Sequence, residues 1–278
     1  MILDSQTNYL YLADSLPKKY PDFYRRFETL LSDCKIDFSL LPGTKDIWAV
    51  DYMPIQIAEN NFTQFVYNPD YLQKEGNNTI SDVDEICKAI GLETKRSDIK
   101  LDGGNVVKTN DAVVMTNKVF RENPAIKGQT LVEELKSAFQ IENLVFIPVD
   151  PMDEIGHADG MVRFIDDKTV LINNYSDRDI ELKLNIKTAL HNANLNWKEI
   201  PYNPYNNGRS KMRANGIYIN YLQMEDIIIV PTFNMQEDEA VVRILEDTFS
   251  GYKIKTVESN DIARKGGVLN CITWNIKK

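Results

Sequence analysis

The feature that most constrains the fold is the recurrence of one amphipathic helix at nearly regular intervals. Helices are predicted at residues 22–32, 81–90, 130–139, 181–193 and 237–249, so their starts lie 59, 49, 51 and 56 residues apart. In each helix, apolar side chains follow the spacing of a single buried face. Short β-like runs lie between them, at residues 112–115, 144–149, 162–164, 170–172, 217–221, 227–230 and 268–273. Five units of one helix and several strands indicate a five-fold repeat, with an ordinary alternating α/β sheet as the alternative.

Two of these helices begin with residues typical of a helix N-terminus. Ser81 is predicted to cap the second helix, which Gly91 ends. Thr130 and Glu133 match the capping-box pattern and predict the start of the third helix. We therefore expect both helices to begin at these residues.

Composition excludes several classes of protein. The 278 residues include 32 basic and 41 acidic side chains, a formal charge of −9, and no basic patch, so nucleic-acid binding is not expected. No apolar run reaches the ~18 residues of a membrane helix, and residues 1–5 do not resemble a secretory signal. Three cysteines and two histidines do not fit a disulfide scaffold or a zinc site. Without any linker-like segment, residues 1–278 are expected to form one cytoplasmic domain without a metal.

Five polar segments interrupt apolar surroundings at a similar spacing, at residues 46–54, 100–105, 156–164, 213–216 and 265–273. One residue can be chosen from each: Asp51, Asp102, His157, Asn215 and Cys271. These residues lie 51, 55, 58 and 56 positions apart. A five-fold arrangement would bring them to one axis, as the candidates for a functional site.

Taken singly, each candidate also has an ordinary structural explanation. His157 and Asp159 would share one face of a strand, or would be solvated at its end. Asp102 precedes two glycines and can simply open a turn. Asp51, in a predicted apolar strand, can belong to a structural salt bridge. Cys271, which follows two glycines, is either a small buried apolar residue or a nucleophile that a ligand can approach closely.

Together the segments resemble the agmatine deiminase and bacterial peptidyl-arginine deiminase family of the guanidine-modifying pentein superfamily. That family carries W-x-R-D-x-G-P, E-G-G, H-x-D and G-G-G-x-x-H-C segments. Here they read Trp48-Ala-Val50-Asp51-Tyr-Met53-Pro54, Asp102-Gly-Gly, His157-Ala-Asp159 and Lys265-Gly-Gly-Val-Leu-Asn270-Cys271. Residues 214–222 and 230–233 and Asp238 are similar to the family's C-terminal part. The likeness covers most of the chain in the same order.

The resemblance implies an α/β fold, the five-bladed pentein propeller of ββαβ units, and a guanidine hydrolase that needs no metal or organic cofactor. Cys271 would be the nucleophile, His157 the general acid and base, and Asp102 the group that orients His157. Paired carboxylates suit a planar guanidinium. The implied substrate-binding residues are Asp51, Asp159, Trp48 and Asn215.

Departures from the family's motifs leave the substrate open. Val50, Met53, Asp102, Lys265 and Asn270 stand where the motifs have Arg, Gly, Glu, Gly and His. We expect a small cationic guanidine, first of all agmatine, giving N-carbamoylputrescine and ammonia as in putrescine biosynthesis within polyamine metabolism. The alternatives are an amidinotransferase, a deiminase of peptidyl-arginine or another guanidine, and a catalytically silent guanidinium-binding protein. No membrane partner is expected, and a homo-oligomer is left open.

Overall fold

The computed structural model describes residues 1–73, 79–176, 179–203 and 213–278. Within these ranges, fifteen strands form five three-stranded sheets. The strands are β1 Tyr9–Ala13, β2 Phe38–Leu41, β3 Ile55–Ala58, β4 Asn61–Val66, β5 Lys95–Lys100, β6 Val107–Lys108, β7 Ala112–Thr116, β8 Asn143–Ile147, β9 Val162–Asp166, β10 Thr169–Asn174, β11 Asn196–Pro201, β12 Leu222–Met224, β13 Ile227–Thr232, β14 Lys253–Glu258 and β15 Thr273–Ile276. The sheet orders are β15-β1-β2, β3-β4-β5, β6-β7-β8, β9-β10-β11 and β12-β13-β14.

Every sheet repeats one ββαβ design. The helices are α1 Leu16–Lys19, α2 Pro21–Asp33, α3 Ala49–Tyr52, α4 Val83–Ala89, α5 Lys118–Glu122, α6 Gly128–Phe139, α7 Ile180–Asn192, α8 Asp238–Thr248, α9 Asn260–Ala263 and α10 Leu269–Ile272. In each sheet an antiparallel pair is followed by a helix (α2, α4, α6, α7 or α8) that leads to a third, parallel strand. The predicted helices and their five-fold recurrence are confirmed.

The helices of the units are held by single apolar faces. In α2, Phe23, Phe27 and Leu31 lie four residues apart and are fully buried. In α6, Leu131 and Phe139 are buried in the same way at the ends of one stripe. Burying one such side chain contributes roughly 1.5–3 kcal/mol. This term explains why a repeated apolar spacing was a good predictor of the helices.

Both capping predictions were wrong. The side chain of Asp82, not Ser81, accepts the hydrogen bond from a backbone N–H in the first turn of α4, at 3.2 Å. Ser81 Oγ instead accepts from the backbone of a neighbouring loop. Helix α6 already begins at Gly128, so Thr130 and Glu133 lie inside it. In each case a neighbouring residue had the backbone geometry of the helix start, and the side-chain pattern alone could not distinguish them.

Several predicted strand segments are instead turns or short helices. Residues 217–221 precede β12 without forming a strand, and residues 268–273 contain α10 before β15 begins. Asp51 lies in α3, and His157 stands directly before the 3₁₀ turn Ala158–Gly160, so the strand explanation for His157 and Asp159 was wrong. A strand requires a pairing partner along its backbone, which these apolar segments lack because they lead into the sheets from the interior.

These connecting segments meet one another. Helix α3 contacts α10 and the 3₁₀ turn Gly103–Asn105, and that turn contacts Ala158–Gly160. Each segment precedes the first strand of a different sheet, so residues separated by about one repeat in sequence become neighbours. No helix in the described ranges is long and apolar enough to cross a membrane.

Candidate active site

The connecting segments form one wall of a cavity of about 440 Å³. Among the described residues that line it are Trp48, Asp51, Tyr71, His157, Asp159, Asn220 and Cys271. Ligand pockets in proteins typically measure 300–1,000 Å³, so the space suits a small molecule. The cavity brings together side chains from four of the five repeats.

Cys271 is the candidate nucleophile, and it lies in α10 with 8% of its surface exposed. Its Sγ lies 3.5 Å from Asp159 Oδ2, toward which the thiol can donate, and 3.4 Å from Asn220 Oδ1. Burial, followed by the negative charges of Asp159 and Asp51, raises the pKa of the Cys271 thiol well above its usual range. The ligand-free site therefore holds a neutral thiol rather than a thiolate.

The carboxylate of Asp159 is fixed by two amides. Its Oδ2 accepts from Asn220 Nδ2 at 2.9 Å and from Asn270 Nδ2 at 2.7 Å. Asn270 is held in turn by the buried Arg163, whose Nη1 donates to Asn270 Oδ1 at 2.6 Å and whose Nη2 donates to Asp4 at 2.7 Å. This chain of contacts fixes the orientation of Asp159 beside the thiol.

His157 lies between two carboxylates. Its Nε2 is 2.8 Å from Asp102 Oδ2, and its Nδ1 is 3.4 Å from Asp51 Oδ1. Burial lowers the pKa of His157, but Asp51 and the hydrogen-bonded Asp102 outweigh burial and raise it to about 9. Burial, together with Asp102 and Asp159, raises the pKa of Asp51 to about 7 against the opposing effect of His157. At neutral pH the ring is therefore protonated and can act as an acid.

Two glycines allow these side chains to approach the backbone. A Cβ on Gly104 would lie 2.5 Å from Asp51 Oδ1 and 2.7 Å from His157 Nδ1. The Gly104 N–H donates to the same Asp51 oxygen at 3.0 Å. A Cβ on Gly267 would lie 2.5 Å from the Trp48 ring. The glycine pairs seen in the sequence therefore act through close approach as well as through turn geometry.

A buried lysine stands behind the histidine, and sequence analysis missed it. Lys118 Nζ lies 2.8 Å from Asp102 Oδ2 and 3.2 Å from Glu122 Oε1, and its side chain is fully buried. Burial opposes ionisation of Asp102, but His157 and Lys118 outweigh it and lower the pKa of that carboxyl. Nothing in the local sequence distinguishes Lys118 from a solvated lysine after a strand.

The structure brings six of the seven predicted site residues together. Asp51, Asp159, Trp48, His157 and Cys271 line the cavity, and Asp102 lies directly behind His157. Asn215 is not among the described lining residues. Its side-chain amide donates to Asn260 at 2.6 Å instead.

Asn220, five residues further along the chain, faces Cys271 in the position expected for Asn215. It lies in the stretch 214–222 on which the family resemblance was based. Its separation from His157 along the sequence, however, is longer than the regular interval between the other candidates. Cys34 and Cys87 lie outside the lining described for the cavity.

The arrangement has the parts of a covalent hydrolase. It offers a thiol that can become a nucleophile, a protonated histidine oriented by a carboxylate, and two further carboxylates that can bind a cation. Within the described ranges, no group of three or more His, Cys, Asp or Glu side chains could hold a metal ion.

Comparison with known sequences points to one family. The family model described as Porphyromonas-type peptidyl-arginine deiminase matches residues 18–276. A curated protein of Mycoplasma mycoides subsp. mycoides, named as a candidate agmatine deiminase, is 22% identical over 223 residues, which cover 68% of this chain and 60% of that protein. The chain thus matches less than two thirds of the length of this relative.

Comparison with solved structures gives the same fold. The agmatine deiminase of C. jejuni superposes with a TM-score of 0.80 at 20% identity, covering 99% of this chain and 94% of that one. DDAH from Pseudomonas aeruginosa superposes with a TM-score of 0.59 at 12% identity, covering 97% and 99%. With five small sheets in the described part of the chain, these likenesses show the five-bladed pentein propeller.

Proposed function

We propose that the chain, which belongs to the Porphyromonas-type peptidyl-arginine deiminase family, is a cysteine-dependent hydrolase of guanidines with agmatine as substrate. The observation that carries the proposal is the convergence of Cys271, His157, Asp51 and Asp159 on one cavity of about 440 Å³. A planar cation fits between two carboxylates, with its carbon turned toward the thiol.

Binding of the cation prepares the nucleophile. The free site holds a neutral thiol because burial, followed by the negative charges of Asp159 and Asp51, raises the pKa of Cys271. A guanidinium bound between these carboxylates offsets that repulsion and favours the thiolate. The thiol proton is released to solvent as the substrate binds.

In the first half of the reaction, the Cys271 thiolate attacks the guanidinium carbon and forms a C–S bond. His157, protonated at neutral pH, gives its proton to one amino group of the tetrahedral intermediate. The C–N bond breaks, ammonia leaves, and a positively charged amidino-thioether remains on the sulfur. Asp102 holds the ring in the orientation for this transfer.

In the second half, the neutral His157 ring takes a proton from a water molecule, and the resulting hydroxide attacks the same carbon. The C–S bond then breaks, and the oxygen-bound proton passes to the Cys271 sulfur as the ureido product forms, which restores the neutral thiol. With agmatine the sum is agmatine and water giving N-carbamoylputrescine and ammonia. Acid–base catalysis of this kind contributes typically 10²–10⁴-fold to the rate.

The charges of the cavity favour a substrate with a second positive group. The described lining residues carry five carboxyl groups, Asp46, Asp51, Asp150, Asp153 and Asp159, and four basic groups, Lys19, His157, Arg213 and Lys265. An excess of negative charge favours agmatine, which carries an ammonium, over arginine, which adds a carboxylate. The agmatine-related names of the relatives support the same substrate.

The remaining expectations form part of this proposal. One domain, residues 1–278, contributes the whole site, which is supported by the pairing of β1 with β15. A cytoplasmic location is supported by three free cysteines. The proposed reaction requires no cofactor, and a homo-oligomer stays a prediction that light scattering can test.

The test is a screen of agmatine, free arginine, arginine peptides and other small guanidines for release of ammonia and formation of a ureido product. We expect agmatine to give the highest kcat/KM and Cys271→Ala to give none, with Cys87→Ala as the matched control that keeps activity. A preference for arginine or its peptides would refute agmatine but not the chemistry. Turnover only with an added amine would identify an amidinotransferase, and binding without turnover would identify a silent protein.

A further inference from the structure

Lys118 is a buried lysine, and a buried ammonium group requires partners of opposite charge. Its side chain has no exposed surface, and Nζ lies between two carboxylates, Asp102 and Glu122. Nζ also lies 3.4 Å from His157 Nε2 and 4.7 Å from the centre of the Tyr71 ring. Burial lowers the pKa of Lys118, but Asp102 and Glu122 outweigh it and raise it, so the group is a cation.

Lys118 and His157 share one oxygen. Both Nζ and Nε2 lie 2.8 Å from Asp102 Oδ2. The carboxylate that orients the ring is therefore also the counter-ion of a fixed buried cation. Without that cation, Asp102 would interact with the imidazolium alone.

We propose that Lys118 is a positioning residue that divides the Asp102 carboxylate between itself and His157, so that the ring can give up its proton in one half-reaction and accept one in the next. This inference rests on the proposed function, because it concerns the two proton transfers of that reaction. The quantity to measure is therefore the rate of adduct hydrolysis relative to the rate of adduct formation, rather than the overall rate.

The two halves make opposite demands on the ring. Ammonia departs only if His157 is protonated, and water is activated only if the ring is neutral. Asp51 and Asp102 both favour the protonated form, and the positive charge of Lys118 opposes them. Removing the cation should leave the first half intact and slow the second.

Other titratable groups in the described residues surround this cluster and bear on its titration. They are Asp51 on α3, Asp70 and Tyr71 in the 3₁₀ turn Asp70–Leu72, Asp102 before Gly103, Glu122 on α5, Asp153 in the segment before His157, and Asp159 after it. Apart from Tyr71, these groups are acidic carboxyls. The cation of Lys118 is thus the charge in this cluster that lowers the pKa of His157.

The test uses Lys118→Met and the double variant Lys118→Met/Glu122→Gln, with Glu122→Gln as the matched control that keeps the cation. The double variant avoids leaving Glu122 buried without its lysine, so it keeps the test valid if the single variant does not fold. Circular dichroism verifies the fold. Ring NMR then follows His157 in the ligand-free protein, and His191→Gln assigns the second of the two histidines.

Relative to Glu122→Gln, the double variant should raise the pKa of His157 by roughly one unit or more, the shift typical of a charge at this range. The neutral fraction of the ring near pH 7.5 then falls about tenfold, and hydrolysis of the adduct slows by a similar factor. Quenched turnover mixtures should accordingly contain more modified Cys271 by intact mass.

Two results would overturn the role of Lys118: an unchanged titration of His157, or equal slowing of both halves with no accumulation of adduct. The failure of the proposed function looks different. In that case the wild-type protein releases no ammonia from any guanidine, whatever the titration of His157 in the resting protein.

Discussion

Asn270 provides the most informative single perturbation of the site outside the reacting groups. It stands directly before Cys271 in α10, and its side chain joins Arg163 to Asp159. The pentein motif described above has a histidine here, so the residue is a departure of this chain from that pattern. We expect Asn270→Ala to lower both the stability of the protein and its catalytic efficiency.

The magnitude follows from two hydrogen bonds, at 2.6 Å to the guanidinium of Arg163 and at 2.7 Å to the carboxylate of Asp159. A hydrogen bond to a charged group contributes about 1.5–3 kcal/mol. Arg163 keeps its bond to Asp4 and Asp159 keeps its bond to Asn220, so the lower end of each range applies. The free energy of unfolding should fall by roughly 3 kcal/mol.

The kinetic effect is expected because Asp159 Oδ2 would lose one of the two amide donors that fix it. Misplacing a catalytic contact by about 1 Å can cost on the order of 10²-fold, so kcat/KM should fall between about 10- and 100-fold. The assays are urea unfolding and ammonia release from agmatine. The matched control is Asn215→Ala, which removes one neutral contact to Asn260 and should cost about 1 kcal/mol without changing the kinetics.

Wild-type stability and kinetics in Asn270→Ala would refute the claim that this side chain fixes Asp159. A loss of stability with unchanged kinetics would limit its role to folding. A kinetic defect in Asn215→Ala equal to that of Asn270→Ala would show that the sequence-based choice of Asn215 deserved its place in the substrate-binding set.

Asp51→Asn should lower kcat/KM about 30-fold or more, since losing one partner of a buried charge pair costs ~2–5 kcal/mol, and near-normal kinetics would assign the substrate to another carboxylate. In a Cys34→Ser/Cys87→Ser background, iodoacetamide should modify Cys271 slowly at pH 7, and faster with a small cationic guanidine that leaves the sulfur accessible; rapid reaction without ligand contradicts the neutral thiol. Because the thiol releases a proton on binding, kcat/KM should rise with pH through about pH 7, where Asp51 ionises, and should stop rising near pH 9, where His157 loses its proton; a flat profile excludes these roles. Both pKa values are raised in the folded state, so each group adds to the free energy of unfolding at low pH and loses that contribution as pH rises. The loss should run from pH 3.8 to about 7 for Asp51 and from pH 6.5 to about 9 for His157, and urea unfolding can follow it.

The repeat was predictable because each of its helices is indicated by the spacing of apolar residues that lie close together in the sequence. The faces that place Phe23 and Phe27 in α2, or Leu131 in α6, depend on residues within three turns of one another. Helix ends were less predictable, since Asp82 and Ser81 are both good capping residues and only the backbone path selects Asp82.

The connecting segments were misassigned because their partners are distant in sequence. Residues 217–221 and 268–272 are as apolar as strands, yet they pack into a core shared with other repeats instead of pairing in a sheet, which begins only at Thr273. Apolar content alone cannot separate these two outcomes. The same segments carry Asn220 and Cys271, so the error lay where the site is assembled.

The site itself was predictable as far as its motifs reach. Asp51, His157 and Cys271 stand in recognisable patterns. Asn220 lies in a recognised stretch in which Asn215 was chosen instead, and the contacts of Lys118 follow from no local pattern. A buried lysine is identified only when the carboxylates on both sides of it are seen in three dimensions. Sequence therefore indicated the groups to which the proposed reaction assigns the chemistry, and the structure added the residues that hold them.

In the proposed reaction, Cys271 carries the substrate carbon through a covalent intermediate. The direct measurement is intact-mass analysis of the protein quenched during turnover of agmatine, followed by peptide mapping. We expect a modification on Cys271 equal in mass to the guanidine less ammonia, and none on Cys34 or Cys87. Turnover without such an adduct in wild-type protein or in Lys118→Met, or full activity in Cys271→Ala, would contradict it.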